Sequence, residues 1–301
     1  MISMTVDRAF AEYEAVRHVL PAADTTSRDT VYLEDLSDLF DQFDVFLLDA
    51  FGVLNIGEEA IPGVQKRVAD LVSAGKRAMI VSNAASVPLA SLVKKYRRLG
   101  YDFEPEDIVT SRQTLAIALK SMNDRLWGVM GGDLDGLNDL GVSRTASLLD
   151  DPDAYYNADG FLLIGSGSWT EDRQRRLEQS LASRPRTILV GNPDIVAPRN
   201  EGFSVEPGYF AHQLSKKTSA VPHFFGKPFP NIYELVFERL GQVDRSRVVM
   251  VGDSLHTDIL GAHIAGVSSA LVAGYGFFAN SDVSKAIARS GITPNFVLAR
   301  P

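Results

Sequence analysis

Apolar and polar residues follow two periods along this chain. The first 43 residues place apolar side chains at helical spacing and predict two short amphipathic helices, separated by the polar stretch from Ala22 to Asp29. The pattern then changes. Val45-Phe46-Leu47-Leu48 is an unbroken apolar run of strand formers that ends in Asp49 and a glycine-containing turn, which predicts a buried parallel strand. A helix is expected from about Val64 to Ala74, stopped by Gly75, followed by a strand from Ala78 to Val81 that ends in Ser82-Asn83. The same grammar recurs in a helix over 88–99 closed by Gly100, a strand over 107–110 and a helix over 113–122.

From Trp127 to about Ala220 the chain carries its own apolar runs, at 127–130, 160–164 and 187–190, with a helical pattern over 170–182. Such a stretch can bury a core of its own. After it, Phe224-Phe225-Gly226-Lys227 precedes a helical pattern over 230–240, and the run from Val248 to Val251 ends in Gly252-Asp253. Strands over 269–272 and 295–298 flank a last helix over 283–290. The alternation predicts an α/β fold: a Rossmann-like parallel sheet with helices on both faces, interrupted by an inserted α/β module. The expected boundaries are residues 1–122 and 222–301 for the sheet domain, with 1–43 as a helical extension, and 123–221 for the insert. Asp133 and Asp135 in Gly-Gly-Asp-Leu-Asp-Gly lack the later ligands of a calcium loop and read as a turn.

Composition narrows the function classes. A chain of 301 residues, 45% hydrophobic and 23% charged, is ordinary globular material for one large domain or two modest ones. A net charge of -8 offers no global basic surface to nucleic acid or anionic lipid, although a local basic pocket for a phosphorylated metabolite remains compatible with it. The absence of cysteine removes disulfides, thiolate metal sites and a cysteine nucleophile. No window has the continuous apolar length of a signal peptide or a membrane span, so a cytoplasmic protein with no membrane partner is expected.

In open parallel sheets, ligands bind at the carboxyl ends of the strands, which singles out Asp49, Ser82 with Asn83, Lys227, and Asp253 with Asp258. Each has a bland alternative. Asp49 or Asp253-Ser254 can be turn or cap residues, Ser82 a helix cap, Asp258 a first-turn acid, and Lys227 a solvated surface lysine. Taken in order, they supply a carboxylate nucleophile, a hydroxyl for a phosphoryl oxygen, a cation, and further carboxylates for a hard metal. That is a complete set for phosphoryl transfer. The histidines form no spacing typical of a transition-metal site, and His256, near the last acidic loop, reads as a packing residue. Gly165-Ser166-Gly167-Ser168-Trp169 reads equally as a plain turn or as a grip on a phosphate or hydroxyl.

These motifs resemble the haloacid dehalogenase superfamily and, within it, the class IIA phosphatases, a group that includes nitrophenylphosphatase-like and sugar-phosphate phosphatases. LLDAFGVLN, AMIVSNAAS, FFGKPFPNIYE and VVMVGDSLHTDILGAHIAG resemble its four motifs across about residues 44–279, and GNPDIVAP with Glu206-Pro207-Gly208 resembles its cap segment. The resemblance implies that Asp49 becomes an aspartyl phosphate and that Ser82 and the Asn83 backbone hold the transferring oxygens while Lys227 offsets their charge. It further implies that Mg²⁺ is bound by Asp49, the carbonyl of Phe51 and Asp253, supported by Asp258 and Ser254. Asn192 and Asp194 are the expected cap residues facing a small phosphorylated metabolite. A homodimer is the implied assembly.

One position departs from the pattern. Most phosphatases of this superfamily carry a second aspartate two residues after the nucleophile, as proton donor and then base, and here that place is Phe51. General acid–base groups contribute roughly 10² to 10⁴ in rate. Three readings follow: a phosphatase that finds its proton elsewhere, a catalytically weak or silent ligand-binding protein of the same fold, and a 2-haloacid dehalogenase.

Overall fold

A computed structural model describes residues 4–23, 29–122, 124–131, 134–199, 202–279 and 281–301. Its larger sheet has seven strands, in the order Val31–Leu33, Phe296–Leu298, Ser268–Val272, Val248–Gly252, Val45–Leu48, Arg77–Ser82 and Ile108–Thr110. All neighbours in it are parallel. Parallel neighbours need crossovers, and the intervening helices supply them. Side chains alternate between the two faces: Phe46 and Leu48 pack with Val64, Leu71 and Tyr96, whereas Val45 and Leu47 pack with Ile232, Val236 and Ala262. Helices Val64–Ser73 and Leu89–Arg98 thus cover one face, and Pro230–Leu240 and Leu260–Ala265 the other. A strand covered on both faces has no solvent side, and this explains the unbroken apolar runs.

The smaller sheet has five parallel strands, in the order His223–Phe224, Thr187–Val190, Gly160–Leu163, Trp127–Met130 and Thr145–Ser147. Helices Glu171–Ser183 and Pro207–Lys217 close one face of it around Phe161, Leu163, Ile188 and Val190. An antiparallel hairpin, Val196–Arg199 with Gly202–Val205, leaves this layer and leans towards the larger one, where Ile195 and Val196 join an apolar cluster with Leu255 and Phe277.

Several expectations need correction. Residues 1–43 are not a purely helical extension: helix Val6–Ala15 forms, but Val31–Leu33 is an edge strand of the large sheet and Leu36–Leu39 only a 3-10 turn. Val31 and Tyr32 are 48% and 61% exposed, so this strand shows neither a buried run nor a clean alternation. The smaller sheet also takes in His223–Phe224, beyond position 221 where the insert was expected to end. It contains the short strand Thr145–Ser147 as well, which polar composition concealed. Residues 24–28 of the polar stretch, and Asp133 of the glycine-rich turn, lie outside the described residues. No described helix is long and apolar enough to cross a membrane.

Candidate active site

Three neighbouring parallel strands bring their carboxyl ends to one edge of the large sheet. Asp49 follows Val45–Leu48, Ser82 ends Arg77–Ser82, and Asp253 follows Val248–Gly252. The Asp49 N–H donates to the Val251 carbonyl at 2.9 Å, carrying the strand register into the loop that follows. Lys227 arrives from the loop before helix Pro230–Leu240. Its Nζ lies 2.6 Å from Asp49 Oδ1 and 2.7 Å from Asp258 Oδ1, the second contact being an ion pair rather than an aligned hydrogen bond. Lys227 is 2% exposed and Asp258 fully buried, so neither is a solvated surface charge.

Asn83 ties this loop together. Its Oδ1 accepts the Lys227 backbone N–H at 2.7 Å, and its Nδ2 donates to the Lys227 carbonyl at 3.0 Å and to Asp194 Oδ1 at 2.7 Å. The neighbouring Gly226 has φ of +115°, and a Cβ there would fall 2.4 Å from Asn83 Oδ1, so only glycine fits. Ser82 is buried, with its Oγ accepting the Ala84 N–H at 3.3 Å, and the Ser254 N–H holds Asp258 Oδ2 at 3.0 Å.

The acidic cluster fits a hard divalent cation. Asp49, Asp253 and Asp258 each offer a carboxylate oxygen, all within 4.8 Å of one another. Among the described residues Lys227 is the ammonium in contact with this group, and the three carboxylates, when ionised, exceed it by two negative charges. Burial pushes Asp49 up to about 6 against the pull of Lys227, and raises Asp253 well above the usual carboxylate range with help from the Asp49 and Asp258 charges. Burial also opposes the Lys227 charge, but Asp258 and Asp49 outweigh it and hold the ammonium above its ordinary range. The backbone presses close on Asp253: a Cβ at Gly52, where φ is +79°, would fall 2.3 Å from Asp253 Oδ2. That approach brings the main chain next to Phe51 against the acidic cluster. Asp253 Oδ2 also accepts the Phe277 N–H at 2.7 Å.

A cavity of about 1050 Å³ opens above these groups, between the two sheets. Asn192 and Asp194 enter it from the smaller layer. The Asp194 N–H donates to Asn192 Oδ1 at 3.0 Å, and Asn192 Nδ2 donates to Glu206 at 3.1 Å. Burial pushes the Asp194 carboxyl up to about 8, although Asn83 and Lys227 pull it down. Phe51 faces the same space, with Lys95 Nζ at 5.1 Å and Arg199 Cζ at 4.9 Å from its ring centroid. The glycine-serine loop also lines the cavity, and the Ser166 hydroxyl is committed to the Val205 carbonyl at 2.6 Å.

The structure brings together Asp49, Ser82, Asn83, Lys227, Asp253, Ser254 and Asp258, with Phe51, Asn192 and Asp194 on the walls. Sequence reading missed Tyr13, Lys95 and Arg199, which also line the cavity. Tyr13 sits in an amphipathic helix where an aromatic residue reads as core, and the two cations carry no local pattern. His256 is buried and stacks on Tyr13, with Phe10 edge-on to its ring.

The chain is similar in sequence and fold to known proteins. Residues 46–141 match the haloacid dehalogenase-like hydrolase family, and residues 224–299 match a HAD-hydrolase-like family. An acid sugar phosphatase of Staphylococcus aureus (strain MRSA252) is 28% identical over 221 residues, covering 73% of this chain and 82% of that protein. Among solved structures, a possible sugar phosphatase from Cytophaga hutchinsonii aligns with a TM-score of 0.78 at 22% identity, over 90% of this chain and 98% of that one. The 4-nitrophenylphosphatase of Thermotoga maritima aligns with a TM-score of 0.70 at 24% identity, over 87% of this chain and 96% of that one. At these identities the structural matches establish the fold.

Proposed function

We infer that this chain, which belongs to class IIA of the haloacid dehalogenase superfamily of hydrolases, is a magnesium-dependent phosphoric monoester hydrolase acting on a small, sugar phosphate-like metabolite. The observation that carries this reading is the Lys227 ammonium, buried and held 2.6 Å from Asp49 at the mouth of a cavity with two further carboxylates. An ion pair whose ammonium is buried and whose carboxylate is only 13% exposed is costly to build for stability alone. Here it sets a carboxylate in place and supplies the charge that a phosphoryl group brings with it.

In the proposed reaction an Asp49 carboxylate oxygen attacks phosphorus, the bond from phosphorus to the ester oxygen breaks, and that oxygen leaves with its electron pair and takes a proton. Water then attacks phosphorus, and phosphate leaves Asp49. Ser82 and the Asn83 backbone grip the phosphoryl oxygens, because the Asn83 side chain is committed to Lys227 and Asp194. Asp258 holds Lys227 towards Asp49. Asp49, Asp253 and the Phe51 carbonyl would hold Mg²⁺, which would supply charge neutralisation and orientation there. Phe51 carries no proton, so the leaving oxygen draws on water or another cavity group. Asp194, protonated near neutrality through its burial, is an acid in that cavity.

Incubation with Mg²⁺ and a broad panel of phosphate esters tests the reading: at least one ester releases phosphate, and Asp49→Asn stops the release. Phe51 favours a second reading, a silent ligand-binding protein, and tight ester binding without turnover across the panel is its signature. Halide release from 2-haloacids without magnesium is the signature of a dehalogenase.

A further inference from the structure

Helix Val6–Ala15 lies outside the stretches that match the two families, the first of which starts at residue 46. One of its side chains nevertheless enters the catalytic cavity. Tyr13 is 3% exposed and lines the space that also holds Asp49, Asp194 and Asp253. Its hydroxyl accepts the backbone N–H of Ile195, the residue after Asp194, at 3.1 Å. Its ring lies flat on His256, with centroids 4.9 Å apart and planes 9° apart. It also meets Phe277, the residue whose N–H holds Asp253, edge-on at 6.1 Å.

These contacts belong to different layers. Ile195 is part of the smaller one, whereas His256 and Phe277 flank the acidic loop of the larger one. The helix is itself anchored on the core side, where Glu14 contacts His256 Nε2 at 2.5 Å. Ile195 is 1% exposed, so its N–H depends on the tyrosine oxygen in place of water. A buried N–H deprived of its acceptor drives the loop to move until another is found. The loop that moves is the one presenting Asn192 and Asp194 to the cavity.

We propose that Tyr13 is a positioning residue for the reaction: through its bond to Ile195 it sets the Asn192–Asp194 loop over Asp49, and helix Val6–Ala15 is a brace between the two layers. The proposal rests on the phosphatase reading. It assigns work to a segment that the four motifs do not include, and it differs from plain packing, because the hydroxyl rather than the ring carries the effect.

Tyr13→Phe keeps the ring and removes the hydroxyl. It is compared with wild type on p-nitrophenyl phosphate, whose leaving group fills part of the cavity, and on acetyl phosphate, which offers the smaller layer little to hold. Amide hydrogen exchange over residues 192–199 is measured on the same samples. The variant is expected to lose roughly 3- to 10-fold in kcat/KM on p-nitrophenyl phosphate, to stay within about twofold of wild type on acetyl phosphate, and to exchange faster over 192–199. Equal losses on both substrates, or kinetics and exchange unchanged from wild type, overturn the proposal while the phosphatase reading stands. Wild-type protein that releases phosphate from neither substrate nor any other ester of the broad panel overturns both.

Discussion

Magnesium is expected to stabilise this protein more at pH 8 than at pH 5, because protons and the cation compete for the same buried carboxylates. In the metal-free protein Asp49 is raised to about 6, and Asp253 is raised as well. The folded state therefore holds protons that the unfolded chain has already released, and stability falls as pH rises from about 4 to 6. For Asp49 the rise from 3.8 to about 6 corresponds to about 3 kcal/mol lost by pH 7. His212, pushed down to about 4 by burial, works in the opposite direction and gains stability as pH rises from about 4 to 6.5. The diagnostic quantity is thus the magnesium-dependent difference at each pH, in which the histidine contribution cancels. Binding at pH 5 must expel the Asp49 proton, which weakens affinity about tenfold, and Asp253 adds to the loss. A magnesium concentration of about 100 Kd at pH 8 gives about 2.7 kcal/mol, and the same concentration at pH 5 about half of that or less. At about 2 °C per kcal/mol for a chain of this size, the midpoint should rise about 5 °C at pH 8 and under about 3 °C at pH 5. Thermal unfolding followed by circular dichroism, with and without MgCl₂, measures both shifts. Equal shifts at the two pH values would refute the assignment of the cation to these carboxylates.

Two further substitutions probe the site from other sides. Lys227→Met leaves Asp49 and Asp258 buried without their cation. It should cost about 3–5 kcal/mol in urea unfolding as well as abolish phosphate release, and a wild-type unfolding midpoint would contradict the burial argument. Phe51→Asp places a carboxyl where Lys95 and Arg199 flank the present ring. If the missing acid–base group limits turnover, phosphate release from ordinary esters should rise by about 10². An unchanged rate would mean that the proton comes from elsewhere in the cavity.

The parts of the site that were legible in the sequence share one physical signature, a polar residue directly after a run buried on both faces. Asp49, Ser82 and Asp253 all have it, since a parallel strand must end in apolar surroundings and its next residue sits at the sheet's open edge. Lys227 was found by its order among the motifs rather than by its own surroundings. The walls of the cavity were harder to read. Arg199 comes from a short hairpin, Lys95 from the polar side of a helix, and Tyr13 from an apolar helical stripe, and all three reach the cavity only through how the layers dock. Val31–Leu33 escaped notice because three residues are too few to establish a period, and pairing with a strand near the far end of the chain leaves no local trace.

The position of Val45–Leu48 has a consequence for the birth of the chain. One edge of this strand pairs with Arg77–Ser82, which emerges soon after it, but the other pairs with Val248–Gly252, about 200 residues later. At roughly 5–20 residues per second a ribosome needs about 10 to 40 s to cover that interval. Any sheet formed by the early strands in that time would present an open, strongly apolar edge, the kind of surface that holdase chaperones shield and that recruits other chains. Lys227 is made late in the same interval, so Asp49 is translated long before its counter-ion, which arrives only after the intervening lobe has been synthesised.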